Sequence, residues 1–276
     1  MPTIALDWAR MARPQVDGYD TSMVLHLAET ERTPWRSEPF RRPPPGGPPS
    51  VAGGAVAVRN DAPLLPAPRW RPVDGVHPNL ERAIAFVERW PEVGRQWPQV
   101  LHTVQCFIDT DPPHGRLYSA SHSVSGRFGV IGLTVDCPLA TAQALVHELA
   151  HTKLRAMGVD NENAVRIVAN ASDALFPSPV VVGQPRPMTA VLHAQYSFIH
   201  VTQLDLHMLE READPATRAD IRALLARNVP RMRAGLHTLQ SNVQEGEDGA
   251  AFLRGFLDWC EAVLGEAEAV LAAADV

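Results

Sequence analysis

The fold and the function of this chain are predicted from one stretch, Ala140-Thr141-Ala142-Gln143-Ala144-Leu145-Val146-His147-Glu148-Leu149-Ala150-His151. It has no proline or glycine and favours a helix. On a helix, His147 and His151 project from one face, so that one metal ion can bind both. A pattern this short also arises by chance, as a surface helix with two unrelated histidines. Because this helix is apolar on the side of its histidines, the sequence predicts a metal site.

The composition is that of a globular protein with a sizeable core. The 276 residues are 45% hydrophobic and 20% charged, which is ordinary for a globular chain. The net charge of −6 and the lack of a basic helix face argue against a nucleic-acid partner. Lys153 is the only lysine, and we draw no function from this skew toward arginine.

The cysteines and the apolar segments bear on the expected compartment. Cys106, Cys137 and Cys260 lie far apart and form no C-x-x-C pair. We therefore expect neither a disulfide framework nor a thiolate zinc site. This cysteine usage fits a protein of the reducing cytoplasm. No basic start followed by an apolar segment is visible, and no apolar run is long enough to span a bilayer. Secretion by a signal peptide and membrane insertion are not expected.

Two regions are predicted along the chain. Residues 1–76 form an N-terminal segment with a short helix around Ser22–Leu27, followed by a stretch dense in proline and glycine from Thr33 to Pro72. Proline fixes φ and lacks a backbone donor, so this stretch is predicted to be an extended arm. The arm either lies across the domain or serves as a flexible linker. Residues 77–276 are predicted to form the metal-dependent catalytic domain.

The fold class expected for the catalytic domain is α+β and helix-rich. A single domain would hold a small sheet beside the HExxH helix and a C-terminal helical bundle. The predicted strands are Val100–Ile108 and Gly129–Val135. The other predicted helices are Leu80–Trp90, ended by Pro91, then Thr189–Glu210, Pro215–Gln240 with a kink at Pro230, and Ala250–Ala273.

A metal site with two histidines needs a third protein ligand. The protease pattern H-E-x-x-H-x-x-G-x-x-H is excluded, because Leu154 and Met157 occupy its glycine and third-histidine positions. Glu162, in a loop or helix start, and Asp173 are the acidic possibilities. Glu162 could instead cap that helix start, and Asp173 carries no surrounding signature, so both are weak alternatives to a histidine.

His193 is the better candidate for the third ligand. It lies near the start of an apolar helix, where His193, His200 and His207 recur every seven residues on one face. His193 and His200 are then about 10 Å apart along the helix axis and cannot bind the same ion. For His200 and His207 we expect buried or half-buried histidines with hydrogen-bond partners. Spacing alone does not decide the role of His193.

Four segments between Leu117 and Val201, taken in order, resemble the HExxH-motif peptide-modification proteins. This family occurs with ribosomally made, post-translationally modified peptides, and its members act as iron(II)- and 2-oxoglutarate-dependent β-hydroxylases. The segments are Ser121-His122-Ser123-Val124-Ser125 with Phe128-Gly129-Val130-Ile131, then Leu145–Leu154, then Leu175-Phe176-Pro177-Ser178-Pro179, and Gln184-Pro185-Arg186-Pro187 leading into Leu192-His193-Ala194-Gln195-Tyr196.

The resemblance implies a site, two cosubstrates and a partner. It implies that His147, His151 and His193 hold iron(II), and that Arg186 receives the distal carboxylate of 2-oxoglutarate. The reaction would use dioxygen to hydroxylate a C–H, at Cβ, of a residue in a ribosomally made precursor peptide. A planar guanidinium matches a carboxylate in a two-pronged hydrogen bond. The alternative for Arg186 is a surface arginine between two prolines, with Arg127 as the next anchor.

The chain departs from the family near the arginine motif. The family often carries Ser-Pro-Trp-Arg, whereas this chain has Ser178-Pro179-Val180-Val181-Val182. This apolar replacement leaves the identity of the substrate open.

Glu148 separates the alternative functions. On a helix its side chain projects about 100° away from that of His147. We therefore expect Glu148 to orient a water molecule or a ligand histidine rather than to bind the metal. In a zinc metallopeptidase, which is the first alternative, Glu148 would be the general base acting on a zinc-bound water. The second alternative is a non-catalytic peptide-binding subunit that has kept the fold.

Overall fold

Helix α5 (Pro138–Ala156) carries the HExxH motif, and 15 of its 19 residues are buried. Pro138 lies in its first turn, where the missing backbone N–H costs no helical hydrogen bond. A helix buried on nearly all sides is a central element of a core rather than a surface element. The computed structural model describes residues 5–30, 49–59, 69–112, 115–123, 127–159, 167–181 and 183–273.

The described part of the chain has seven further helices, of which α2, α3, α4 and α6 contact α5. Helix α6 packs against α5 and, as predicted, forms a C-terminal bundle with α7 and α8. Pro230 lies inside α7. The helices are α1 (Trp8–Met11), α2 (Tyr19–Thr30), α3 (Pro78–Val87), α4 (Pro91–Val100), α6 (Met188–Arg211), α7 (Pro215–Asn242) and α8 (Gly249–Ala272).

A small mixed sheet lies beside α5, as expected for the α+β class. Its order is β1-β2-β4-β6-β5, with β3 also paired to β4. Strands β2, β4 and β6 are parallel, and the other pairings are antiparallel. A two-stranded hairpin of β7 and β8 stands apart. The strands are β1 (Ser50–Val51), β2 (Val56–Val58), β3 (Trp70–Pro72), β4 (Thr103–Asp109), β5 (Ser121–Ser123), β6 (Val130–Thr134), β7 (Leu175–Phe176) and β8 (Arg186–Pro187).

The structure corrects one element boundary. Pro91 was expected to end a helix, but it begins α4, where proline is well suited to the first turn. Gly94 and Pro98 lower the helix propensity of this segment. The helix forms nevertheless because Val93, Trp97 and Val100 are all buried in the core.

The described parts of residues 1–76 belong to the same core. Helix α1 packs against α8, and α2 packs against α4 and α5. Strands β1 to β3 extend the sheet through β2 and β4. Residues 31–48, which hold most of the proline run, lie outside the described residues.

The structure bears on two expectations, that the cysteines form no disulfide framework and that no segment spans a membrane. Cys106, Cys137 and Cys260 are free thiols, and burial raises the pKa of Cys106 to about 12. Among the described residues, no helix has the length and apolar character needed to cross a membrane.

Candidate metal centre

His147 and His151 lie one turn apart on α5, and their Nε2 atoms are 2.9 Å apart. The two rings meet edge to face, with centroids separated by 4.4 Å. Metal–nitrogen bonds of about 2.0–2.1 Å place two ligands of one ion about 2.9–3.4 Å apart, depending on the angle between them. The spacing of the two imidazoles therefore suits binding to a single ion.

Glu148 is held by two serines of strand β5. Its side chain is 3% exposed, and its Oε1 accepts a hydrogen bond of 2.8 Å from Ser121 Oγ. Ser123 Oγ donates to Oε2 of the same carboxylate. Glu148 Oε1 lies 4.0 Å from His147 Nε2, and ligand atoms of Glu148 and the two histidines all lie within 4.8 Å of one another. These three residues form a candidate metal-binding group.

The two serines lie on β5, the strand that pairs with β6. His122 lies between them and pairs with Gly132 across the two strands. A Cβ at Gly132 would overlap the His122 imidazole, so only glycine lets the ring lie against β6. Ser121 and Ser123 share the other face of β5, as alternate residues of a strand do. Sequence reasoning missed this contact with Glu148, although the alternating Ser-His-Ser was a visible signal.

His193 on α6 adjoins the HExxH pair. Its Nε2 lies 2.9 Å from the carbonyl oxygen of Val159. Because a carbonyl only accepts, Nε2 carries the proton and Nδ1 keeps a free lone pair. This Nδ1 lies 2.9 Å from His151 Nδ1. His151 thus turns one nitrogen toward His147 and the other toward His193, so a single ion shared by all three would require its ring to turn.

The three histidines are in the form that binds metals. Loss of hydration lowers the pKa of His147 and lowers that of His193 to about 3. The pKa of His151 falls well below its ordinary value, first through loss of hydration and then through the neighbouring histidines. Neutral imidazoles bind metals, whereas imidazolium ions do not. At neutral pH this cluster therefore offers unprotonated nitrogen atoms without first losing protons.

A cleft of about 390 Å³ opens onto the histidines. Arg186 on β8 is its one formally charged lining residue in the described part of the chain, and it is exposed at the rim. Arg186 Nη2 donates to Gln184 Oε1 at 3.4 Å. Glu148 does not line the cleft. The lining residues are His147, His151, Ser178, Val180, Val181, Arg186, Pro187, Ala190, His193, Ala194 and Phe198.

The other residues considered from the sequence lie elsewhere or are not described. His200 is fully buried and donates from Nδ1 to the carbonyl of Tyr196 at 2.8 Å. His207 is half-buried and stacks on Trp90. Asp173 and Arg127 are exposed and do not line the cleft, and Glu162 lies outside the described residues.

A buried ion pair links α5, the helix with the HExxH motif, to α2. Lys153 Nζ is 2.8 Å from Asp20 Oδ2, and both side chains are completely buried. Gln96 bridges the pair, since its Oε1 accepts from Lys153 and its Nε2 donates to Asp20. The pair joins α2 to α5 two residues after His151. Sequence reasoning missed it, and the one signal was a lone lysine within an apolar helix.

No protein-family model matches this chain, and no curated protein matches it either. The interpretation of the site therefore depends on its own residues and their geometry.

Proposed function

We propose that this protein is an iron(II)- and 2-oxoglutarate-dependent oxygenase that hydroxylates a C–H bond, at Cβ, of a residue in a peptide. The observation that carries the proposal is the lining of the cleft. It combines neutral histidines with one arginine and does not include Glu148, whose carboxylate accepts hydrogen bonds from two serines of β5. A site of this kind suits a metal and an anionic cosubstrate better than a carboxylate-catalysed hydrolysis.

His147, His151 and His193 would hold the iron(II). Their lowered pKa values keep them unprotonated at neutral pH. His151 lies 2.9 Å from a ring nitrogen of each of the other two. Oxygenases of this class ordinarily use two histidines and one carboxylate, so three histidines would be a variant of that set. Bound iron, with dioxygen and 2-oxoglutarate, would supply the oxidising power that hydroxylation of a C–H bond needs.

Arg186 would bind the distal carboxylate of 2-oxoglutarate. It lies at the rim of the cleft that contains the histidines, and it forms no ion pair within the described residues. Its guanidinium is therefore available for a two-pronged bond to a carboxylate. The β7–β8 hairpin holds Arg186 opposite Phe176, which fixes its backbone beside the start of α6.

Glu148 would act as a positioning residue. Both of its oxygens accept hydrogen bonds from serine hydroxyls of β5, and its negative charge opposes the fall in the pKa of His147. It would thus fix the motif helix against the sheet and make His147 a more basic ligand.

The zinc metallopeptidase is the alternative that shares the most residues with this site. In that mechanism Glu148 must take a proton from a water molecule in the cleft. The serine contacts and the absence of Glu148 from the cleft lining weigh against it. A non-catalytic peptide-binding subunit would use the apolar cleft wall without any metal.

The test of the function is turnover. The protein loaded anaerobically with iron(II) and then given dioxygen and 2-oxoglutarate should form succinate, and a peptide encoded beside its gene should gain the mass of one oxygen atom when both are produced together. Succinate should not form without iron. Cleavage of a protein substrate by the zinc-loaded form, with no succinate from the iron form, would support the peptidase. Absence of both activities and of bound metal would support the binding subunit.

The ligand set is tested by two matched variants on α6. His193→Ala should reduce the metal content of the purified protein at least about tenfold, because a ligand is lost. His200→Ala removes a buried histidine from the same helix, seven residues away, and should leave the metal content unchanged. Equal losses in both variants, at equal helix content by circular dichroism, would mean that His193 is not a ligand.

A further inference from the structure

We infer that the cleft accepts an uncharged aliphatic side chain of the peptide, and that Val180, Val181 and Phe198 select it. This inference rests on the proposed function and names the class of substrate residue. It is carried by the character of the cleft wall, in which Val180, Val181 and Phe198 are apolar lining residues.

Two elements form the apolar wall. Ala190, Ala194 and Phe198 are four residues apart on α6, so they lie along one helix face. Val180 and Val181 face them from the segment before β8. All five are half-buried rather than fully buried, so part of each side chain remains open to a ligand. A ligand side chain that enters the cleft is therefore surrounded by methyl groups and one aromatic ring.

Phe198 places this wall next to the candidate metal ligands. Its ring meets the His147 imidazole edge to face, with centroids 5.0 Å apart and planes at 75°. A side chain packed on Phe198 would lie close to the histidine cluster, where the reacting C–H bond must be. The residue that is hydroxylated, rather than a distant part of the peptide, is thus the one that the wall contacts.

Few polar groups of the cleft are left for the substrate. Ser178 Oγ accepts hydrogen bonds from the backbone N–H groups of Val180 and Val181, at 3.3 Å and 3.2 Å. Arg186 serves the cosubstrate and the histidines serve the metal. In the described lining the Ser178 hydroxyl hydrogen is then the one side-chain donor left for the substrate, and no side-chain acceptor is left for an ammonium or amide N–H. A carboxylate, ammonium or amide would thus lose its hydration and gain at most one hydrogen bond, which disfavours its binding.

The valine segment of the wall packs against α7 and the hydrophobic core. Pro179 is buried against Gly235 of α7, where an added Cβ would come within 2.8 Å of the proline Cβ. Val180 packs against the hydrophobic core. The segment therefore rests on the helical bundle, which positions the two valines at the cleft.

The experiment uses acetylated amino-acid amides of leucine, valine, aspartate, asparagine and lysine as probes. Their binding to protein loaded with iron(II) and 2-oxoglutarate is measured anaerobically by titration calorimetry. The leucine and valine amides should bind at least about tenfold more tightly than the other three. Equal or tighter binding of a charged or amide-bearing probe would overturn the inference, and so would no binding of any probe.

Variants identify the residues responsible. Val181→Asp should weaken binding of the leucine amide at least about tenfold and strengthen that of the lysine amide. Val16→Asp is the matched control, because Val16 is 77% exposed and does not line the cleft, and it should bind like the parent protein. Val181→Thr keeps the side-chain shape and decides the matter if Val181→Asp does not fold. Unchanged selectivity in the folded variants would overturn the assignment of the wall.

Failure of the proposed function has a different signature. Without the absorption band that iron(II) and 2-oxoglutarate give together, the oxygenase proposal fails, whatever the amides do. With the band present and no preference for aliphatic amides, only the substrate inference fails.

Discussion

Replacing Lys153 by methionine should destabilise the protein severely. Lys153 Nζ and Asp20 Oδ2 are 2.8 Å apart with both side chains completely buried. Methionine is of similar length but leaves the Asp20 carboxylate without its cation. Asp20 would then keep only hydrogen bonds, from the Gln96 side-chain amide and the Gln15 backbone N–H, and none from a charged group in the described residues.

The expected loss follows from the burial of both charges. Removing one partner of a fully buried ion pair costs about 3–5 kcal/mol, because the other charge stays buried without compensation. A domain of this size is stable by about 5–15 kcal/mol in total, so the loss is a large share. The double variant Asp20→Asn with Lys153→Met removes both charges and should lose less than the sum of the two single changes.

Urea unfolding followed by circular dichroism measures these free energies. Arg10→Met is the matched control, since the Arg10–Asp17 pair is exposed and solvent screens it; its effect should be much smaller. Because Lys153 is the only lysine, an amine-reactive reagent offers a second readout: the peptide that contains it should be labelled only after unfolding. A loss below about 1 kcal/mol in Lys153→Met, or rapid labelling of the native protein, would refute the reasoning.

Two further changes test the packing of the bundle and a buried acid. Gly235→Ala should lower the free energy of unfolding in urea by about 1–3 kcal/mol, because the new methyl group overlaps Gln195 and crowds Pro179. Gly265→Ala is the control: the glycine has open space around it, so the change should be neutral or stabilising. Similar losses in both variants would contradict the packing. Burial raises the pKa of Asp205 to about 8, so between its ordinary pKa and about 8 the native state binds more protons than the unfolded state. Stability should then fall as the pH rises through this range, by up to about 1.4 kcal/mol per pH unit; Asp205→Asn should flatten that slope, and an unchanged slope would contradict the assignment.

The elements that the sequence predicted are those with long regular patterns. Helices α5 to α8 and strands β4 and β6 show the apolar spacing expected of their type, and the structure confirms them. Helix α4 was missed because Gly94 and Pro98 lower its local propensity, whereas burial of Trp97 is a tertiary effect. The packing of α1 and α2 on the domain was missed for the same reason, since contacts between distant segments leave no local pattern.

The candidate site was predictable to the extent that it lies on one helix. The separation of His147 and His151 specifies their common face, and the structure places their nitrogens 2.9 Å apart. The hydrogen bonds from Ser121 and Ser123 to Glu148 join two separate elements, so spacing could not reveal them. The same holds for Lys153 and Asp20, which are 133 residues apart. The metal, the cosubstrate and the role of His193 remain predictions.

The most direct test of the central claim is spectroscopic. The protein is loaded with iron(II) under anaerobic conditions, 2-oxoglutarate is added, and the weak visible charge-transfer band is followed in the parent protein and in Arg186→Ala. The oxygenase account predicts a saturable band in the parent, and in Arg186→Ala a steep rise in the 2-oxoglutarate concentration needed to form it, with the metal content unchanged. No band in the parent protein, together with tight binding of zinc, would contradict the account and favour the peptidase.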